Sequence, residues 1–312
     1  MTNDFKFTSI SRRLILLLIV VGSALSVSGQ TEFRLIREIG GRCSFNAPIN
    51  GCENDAKFML SSAHEMVMGS ELYDKTFKNT EMELRTVRKT EFNINDKAYK
   101  INKVVTGKVR IGDAIFKGSI FVLDGYEDVS VPIHLLQNGV DSTKNIIKMN
   151  FKKGELSFVG IEDVDTASMQ QFALKKINGM PAINTTVTVE DIDGHWGRVS
   201  GAFLVKFGSV PLLALLKKNL TVREMLKTSK IEIGTANTRK GKVVGRGIFA
   251  EKCVIGNSEF INAAVVLSDK FSKQFVGIIG LKFFAGDVYL DRNKGRLYRE
   301  RTIKHAVTDV NQ

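Results

Sequence analysis

The feature that most constrains this chain is that it repeats itself. Ile111-Gly112-Asp113-Ala114-Ile115-Phe116, followed by Ile120-Phe121-Val122-Leu123, matches Ile255-Gly256-Asn257-Ser258-Glu259-Phe260, followed by Ala264-Val265-Val266-Leu267, at an offset of 144 residues. Phe58-Met59-Leu60-Ser61 matches Phe203-Leu204-Val205-Lys206 at 145. Met149-Asn150 with Lys153-Gly154-Glu155-Leu156 matches Leu290-Asp291 with Lys294-Gly295-Arg296-Leu297 at 141. Chance could supply any one of these matches. Three in one order at nearly one offset mean two tandem copies of a unit of about 130 residues, each large enough to bury a core of its own.

Within each copy the local signals are those of strands. Short Val/Ile/Phe-rich runs stop at Asn50-Gly51, Ile111-Gly112-Asp113, Asp193-Gly194 and Asn293-Lys294-Gly295, all of which favour turns. The fold class is therefore mainly β, with two tandem barrel-like units related by a pseudo-two-fold axis. Helical spacing occurs at Thr166 to Lys176, where Met169, Phe172 and Ala173 share a face, and at Pro211 to Lys218 continuing towards Thr221 to Lys227. The first of these falls between the copies. The expected division is 1–29 leader, 30–160 first unit, 161–177 partly helical linker, 178–301 second unit and 302–312 tail.

Lys6, Arg12 and Arg13 precede an apolar run from Leu14 to Val21 that fades into the small residues Gly22 to Gly29, the pattern of a secretory signal peptide. The expected location is periplasmic or secreted. An uncleaved N-terminal membrane anchor is the alternative, although the run is short of the roughly 20 residues that a span requires. The whole chain carries 45 Lys+Arg against 33 Asp+Glu, a net charge of +12. Loss of Asp4, Lys6, Arg12 and Arg13 with the leader leaves +10. The basic residues are scattered between apolar strands without interleaved stacking aromatics, which reads as a solvated basic surface and not as a nucleic-acid groove.

Other chemistry-bearing patterns are sparse. Cys43 and Cys52 flank Ser44 to Gly51 and offer a possible disulfide, while Cys253 sits in an apolar run as a buried thiol. Gly245-Arg246-Gly247-Ile248-Phe249-Ala250 imitates a dinucleotide fingerprint but leads into strand-like residues instead of a helix. Asp191-Ile192-Asp193-Gly194-His195 supplies oxygen and imidazole groups at alternating positions, yet Asp-Gly between extended runs more often makes a hairpin turn. No metal and no cofactor is expected. Asn184-Thr185-Thr186 and Asn219-Leu220-Thr221 match the glycosylation pattern.

Tandem β units, the run Phe203-Leu204-Val205 entering a Gly-Ser turn, and a late Val276-Gly277-Ile278-Ile279-Gly280-Leu281-Lys282-Phe283-Phe284 together resemble the aspartic peptidase superfamily, most of all its bacterial two-lobed, retropepsin-like members. The resemblance covers about residues 40 to 300. It implies that each unit is a lobe in which an apolar strand enters an Asp-Thr/Ser-Gly turn, later braced by an apolar-apolar-Gly loop. Ile278-Ile279-Gly280 would be the C-terminal brace and Pro132-Ile133-His134-Leu135-Leu136 its weaker N-terminal counterpart.

The departure lies in the catalytic turns, which would fall on Ser61-Ser62-Ala63 and Lys206-Phe207-Gly208. The family's chemistry needs two carboxylates sharing one proton around a water. A serine does not ionise for that task, and a lysine has the opposite charge. The implied function is a pseudoprotease that binds an extended peptide or protein segment between its lobes. Two alternatives stand beside it: a hydrolase using Ser61 with Lys206 as base, and a structural protein whose cleft is filled. In the plainer reading of Lys206, its ammonium reaches solvent or pairs with a carboxylate such as Glu65. Intact-mass measurement on protein from an exporting host is expected to find the first 29 residues removed; a full-length product retained in the cell would contradict the leader reading.

Overall fold

The structure is a computed structural model that describes residues 32–38, 42–77, 80–94, 97–207, 212–229, 232–238, 241–269, 272–284, 286–301 and 305–306. The segment read as a leader and Gly208 lie outside them. No helix among the described residues is long and apolar enough to cross a membrane.

Each copy traces the same circuit. The long strands Lys97–Ile111 and Ala114–Leu123 are joined by the two-residue turn Gly112-Asp113, and Gly241–Ile255 and Ser258–Ser268 by Gly256-Asn257. Gly112 and Gly256 have φ of +52° and +60°, the left-handed backbone that a tight hairpin needs and that glycine adopts without steric cost. The apolar strand Asp55–Ser61 pairs antiparallel with Cys43–Pro48 and parallel with Val129–Pro132. Its counterpart Trp196–Val205 pairs antiparallel with Met180–Asp191 and parallel with Gly277–Ile279. Met66–Gly69 and Leu213–Leu216 complete the two circuits, each pairing parallel with the second long strand and antiparallel with the short brace strand. The interior segments Met66–Gly69, Leu213–Leu216 and Gly277–Ile279 are buried throughout, which is why they read as continuous apolar runs.

Six strands of a larger sheet join the lobes in the order Glu32–Arg34, Glu155–Val159, Ile146–Asn150, Asp287–Asp291, Arg296–Glu300, Met169–Ile177. The order is a palindrome. At its centre Ile146–Asn150 pairs antiparallel with its own counterpart, and Lys148 faces Tyr289 at the axis. The outer hairpins are built alike. Asn150 Oδ1 accepts from the N–H groups of Lys152 and Lys153, and Asp291 Oδ1 accepts from Lys294 N–H. Leu35 N–H donates to Gly154 O at 2.8 Å, and Leu174 N–H to Gly295 O at 2.8 Å.

Three sequence-based expectations are corrected here. Thr166 to Lys176 is not a helical linker: a 3-10 turn at Ile161–Asp163 is followed by the strand Met169–Ile177, which opens the second copy as Glu32–Arg34 opens the first. The second lobe therefore begins before residue 178. The strand alternation was hidden because Gln170 points inward with Phe172 and Leu174, accepting a hydrogen bond from Ser258 Oγ at 2.6 Å. Leu212 to Lys218 is likewise not helical, Pro211 lying outside the described residues. The strand Leu213–Leu216 lies there, and the helix is Leu220–Met225, its first turn capped by Asn219 Oδ1 accepting from Val222 N–H.

The third correction concerns Cys43 and Cys52, which are free thiols, as is the buried Cys253. Cys43 begins the strand Cys43–Pro48, and Cys52 lies in the turn beyond its far end. Five strand steps at about 3.3 Å each separate Cys43 from that end, well beyond the roughly 7 Å that a disulfide tolerates between Cα atoms.

The twin hairpins give a direct test of this architecture. A Cβ on Gly154, at φ +72°, would stand 2.9 Å from Leu35 O, and one on Gly295, at φ +58°, would stand 3.2 Å from Leu174 O. Gly154→Ala and Gly295→Ala are each expected to cost about 1–2 kcal/mol in urea denaturation, with Gly154→Ala the larger. Gly51→Ala, where nothing lies within 4 Å of the added Cβ, should cost less than either. Unchanged midpoints for the two hairpin variants would contradict the paired turns.

Candidate functional site

The two apolar strands end at one place. Ser61 pairs with Pro132 at the end of the first parallel ladder, and Val205 pairs with Ile279 at the end of the second. Lys206 N–H then donates to Ile279 O at 2.9 Å. One residue further along each copy, Phe207 N–H donates to Ser62 Oγ at 3.2 Å, a buried bond between the lobes. Ser61 and Lys206 each lie next to this bond. Ser61 Oγ accepts from Ala63 N–H at 3.0 Å, which fixes the turn after the strand. Phe207 is fully buried and packs on Phe284 with ring centroids 5.4 Å apart. Ile278 and Ile279 are buried, and Gly280 N–H donates to Leu212 O.

The two strand ends themselves carry no carboxylate: the residues there are Ser61-Ser62-Ala63 and Lys206-Phe207. Lys206 is partly buried, and loss of water, with the Arg42 guanidinium as a second cause, holds its ammonium below the usual lysine range. Glu65, named above as its potential counter-ion, instead contacts His64 Nε2 at 2.5 Å. Lys206 forms no ion pair and shares no hydrogen bond with Ser61 among the described residues. Arg42 is there by register: Ser44 faces Met59, so continuing the antiparallel ladder by two residues sets Arg42 beside Ser61.

The lobes are latched a second time at the N-terminal brace. His134, 1% exposed, donates its Nε2–H to Gly179 O at 3.1 Å, and its Nδ1 has no partner. The ring is thus the neutral Nε2–H tautomer. Burial pushes its pKa down to about 4, against the opposing effect of the Gly179 bond. Arg292 Nη1 donates to Leu135 O and Leu136 O at 3.1 and 3.0 Å. This latch was not legible in the sequence, because a lone histidine and a distant arginine carry no spacing signal.

The remaining motifs resolve into structure. Asp191 Oδ1 accepts from the N–H groups of Asp193 and His195, and Gly194 has φ +78°, so this segment is the turn between Met180–Asp191 and Trp196–Val205. Ligand atoms of Asp191, Asp193 and His195 lie within 4.8 Å of one another as a consequence of that turn. Gly245 to Ala250 runs inside the strand Gly241–Ile255. A hollow of about 410 Å³, lined by Met169, Gln170, Phe172, Thr185, Gly256 and Arg301 among others, shares no residue with the junction at Ser61 and Lys206.

No protein-family model matches the chain, and no curated protein sequence matches it. Among solved structures it is similar to an aspartic proteinase from Irpex lacteus, with a TM-score of 0.57 and 13% sequence identity over 88% of this chain and 98% of that one. At this identity the likeness is one of fold, and the chain has a two-lobed, aspartic-peptidase-like fold.

His134 supplies a pH test. Its pKa falls from 6.5 to about 4 on folding, so above pH 6.5 both states are neutral and the group has no effect. As pH drops from 6.5 to 4 the unfolded chain takes up a proton that the folded chain refuses. Stability should therefore fall by about 3 kcal/mol across that window. Urea titrations of the wild type and His134→Gln at pH 7 and pH 4 are expected to show a smaller acid loss in the variant; equal losses would remove His134 as the cause.

Proposed function

We propose that this chain is an exported, catalytically inactive aspartic-peptidase homologue that holds an extended peptide or protein segment between its lobes through strand-like backbone hydrogen bonds. One observation carries the reading. The Phe207–Ser62 bond keeps the two strand ends together as a catalytic pair would require, while the residues beside it, Ser61 and Lys206, provide no carboxylate. Without two acids sharing a proton, nothing there activates a water as base or protonates a leaving amine as acid. The scaffold for holding a chain remains after its chemistry is gone.

A second reading, a serine hydrolase with Lys206 as base, draws support from the lysine's lowered pKa, which is what a neutral base needs. Against it stands Ser61 Oγ, which accepts from Ala63 N–H and has no hydrogen bond to Lys206 among the described residues. Incubation of the mature protein with a diverse peptide library from about pH 3 to 9, read by mass spectrometry, separates the readings. Retention of intact peptides without cleavage is the expected result. Acidic cleavage that survives both Ser61→Ala and Lys206→Ala would place the catalytic turns elsewhere. Alkaline cleavage abolished by either change would favour the serine-lysine hydrolase.

A further inference from the structure

The family's scaffold gathers negative charge at the ends of its two apolar strands; this chain gathers positive charge there. Lys206 follows Val205, whose partner is Ile279, and Lys282 stands three residues beyond Ile279 on the 3-10 helix Leu281–Phe284. Arg42 reaches the same end of the first lobe beside Ser61, and Arg37 is the register partner of Cys43, the residue next to Arg42. The cations act on one another through space in two pairs. Arg42 adds to the effect of burial in holding Lys206 down, and Arg37 adds to the effect of burial in holding Lys282 down. Lys206, Lys282 and Arg42 are each only partly exposed.

Among the described residues none of these four forms an ion pair. Nearby carboxylates are engaged elsewhere: Glu38 with Lys57 at 2.7 Å and Ser44 Oγ at 2.7 Å, and Glu65 with His64. Gathering like charges in a partly dry place costs free energy unless an anion joins them. Rigid strands hold the charges there regardless, which is the pattern of a preorganised binding site.

We infer that the lobe junction is a carboxylate receptor, and that the segment held in the cleft is acidic, its carboxylate placed among Lys206, Arg42 and Lys282 with Arg37 at the rim. The inference rests on the peptide-holding reading above and adds ligand class to it. The guanidinium of Arg42 offers paired N–H donors that match a carboxylate, and Ser61 beside it has an O–H to donate.

Fluorescently labelled eight-residue peptides of otherwise identical sequence provide the test. One has a central Glu and an amidated C-terminus, the second a central Gln and an amidated C-terminus, and the third a central Gln and a free C-terminal carboxylate. Anisotropy titrations with the mature protein are expected to show one of the two anionic peptides bound at least about tenfold more tightly than the neutral one. Whichever anionic peptide is preferred identifies the source of the carboxylate. Lys206→Met and Arg42→Gln should each remove most of that preference, bringing the anionic peptide's affinity towards that of the neutral one. Lys117→Gln, an exposed site on a distant hairpin, should leave it intact. Equal binding of all three peptides would overturn the carboxylate receptor and leave the peptide cleft standing. A loss at Lys117→Gln as large as at Lys206→Met would overturn it in favour of diffuse surface charge. No binding of any peptide would remove the cleft reading and the receptor together.

Discussion

The structure depends on one pairing, that of Ile146–Asn150 with Asp287–Asp291. These strands are the same element of two copies, and an antiparallel ladder between equivalent strands is possible only about a local two-fold axis. The axis runs through the pair Lys148 and Tyr289. On one side Asn150 Nδ2 donates to Asp287 Oδ1 at 2.5 Å, and Lys148 Nζ lies 3.4 Å from Asp287 Oδ2. Neighbouring hairpins then fall into mirrored places in the sheet. The lobes above this base are not free to choose where their apolar strands end. Ser62 and Phe207 meet across the lobes because strands far from them in sequence are paired at the base.

The parts of the fold legible in the sequence are those where one physical demand selects one residue type. A two-residue hairpin needs left-handed backbone, so Gly112 and Gly256 stand at matching places and expose the repeat. The closing hairpins need a side-chain acceptor and a left-handed glycine, and Asn150 with Gly154 and Asp291 with Gly295 supply them. What stayed hidden is where two demands compete. Gln170 occupies an inward position in Met169–Ile177 because the buried Ser258 needs its oxygen as an acceptor. Arg299 is fully buried nearby, its guanidinium 4.3 Å from the Phe283 ring. A polar cluster of this kind breaks the strand alternation, leaving only the accidental three-residue spacing of Met169 and Phe172. Leu213–Leu216, buried on both faces, has no periodicity that distinguishes strand from helix.

The junction was legible in part. Strand ends at Ser61 and Lys206 followed from the offset, because a parallel ladder must stop where its short brace strand stops. The neighbours of Lys206 were not. Arg42 comes towards Ser61 through the register of Cys43–Pro48 on Asp55–Ser61 and acts on Lys206 from another lobe, more than 160 residues away in the chain. Long-range register of this sort leaves no mark on local composition. The basic residues that look scattered along the sequence are, at this one place, gathered.

That gathering changes how Lys206 is read. A lysine without a partner to serve is favoured to carry its ammonium to water or to a carboxylate. Lys206 instead stays partly buried, with Arg42 as an electrostatic neighbour and no ion pair among the described residues. The turn that carries it is tied down on both sides, by Lys206 N–H on Ile279 O before and by Phe207 N–H on Ser62 Oγ after, so the backbone cannot swing the charge outward without breaking a bond between the lobes. A partly buried cation with no ion pair among the described residues costs stability as long as no anion joins it. On the proposed reading, the charge at the end of this strand is accounted for by an anion held between the lobes, since the described residues of the scaffold supply it no counter-ion.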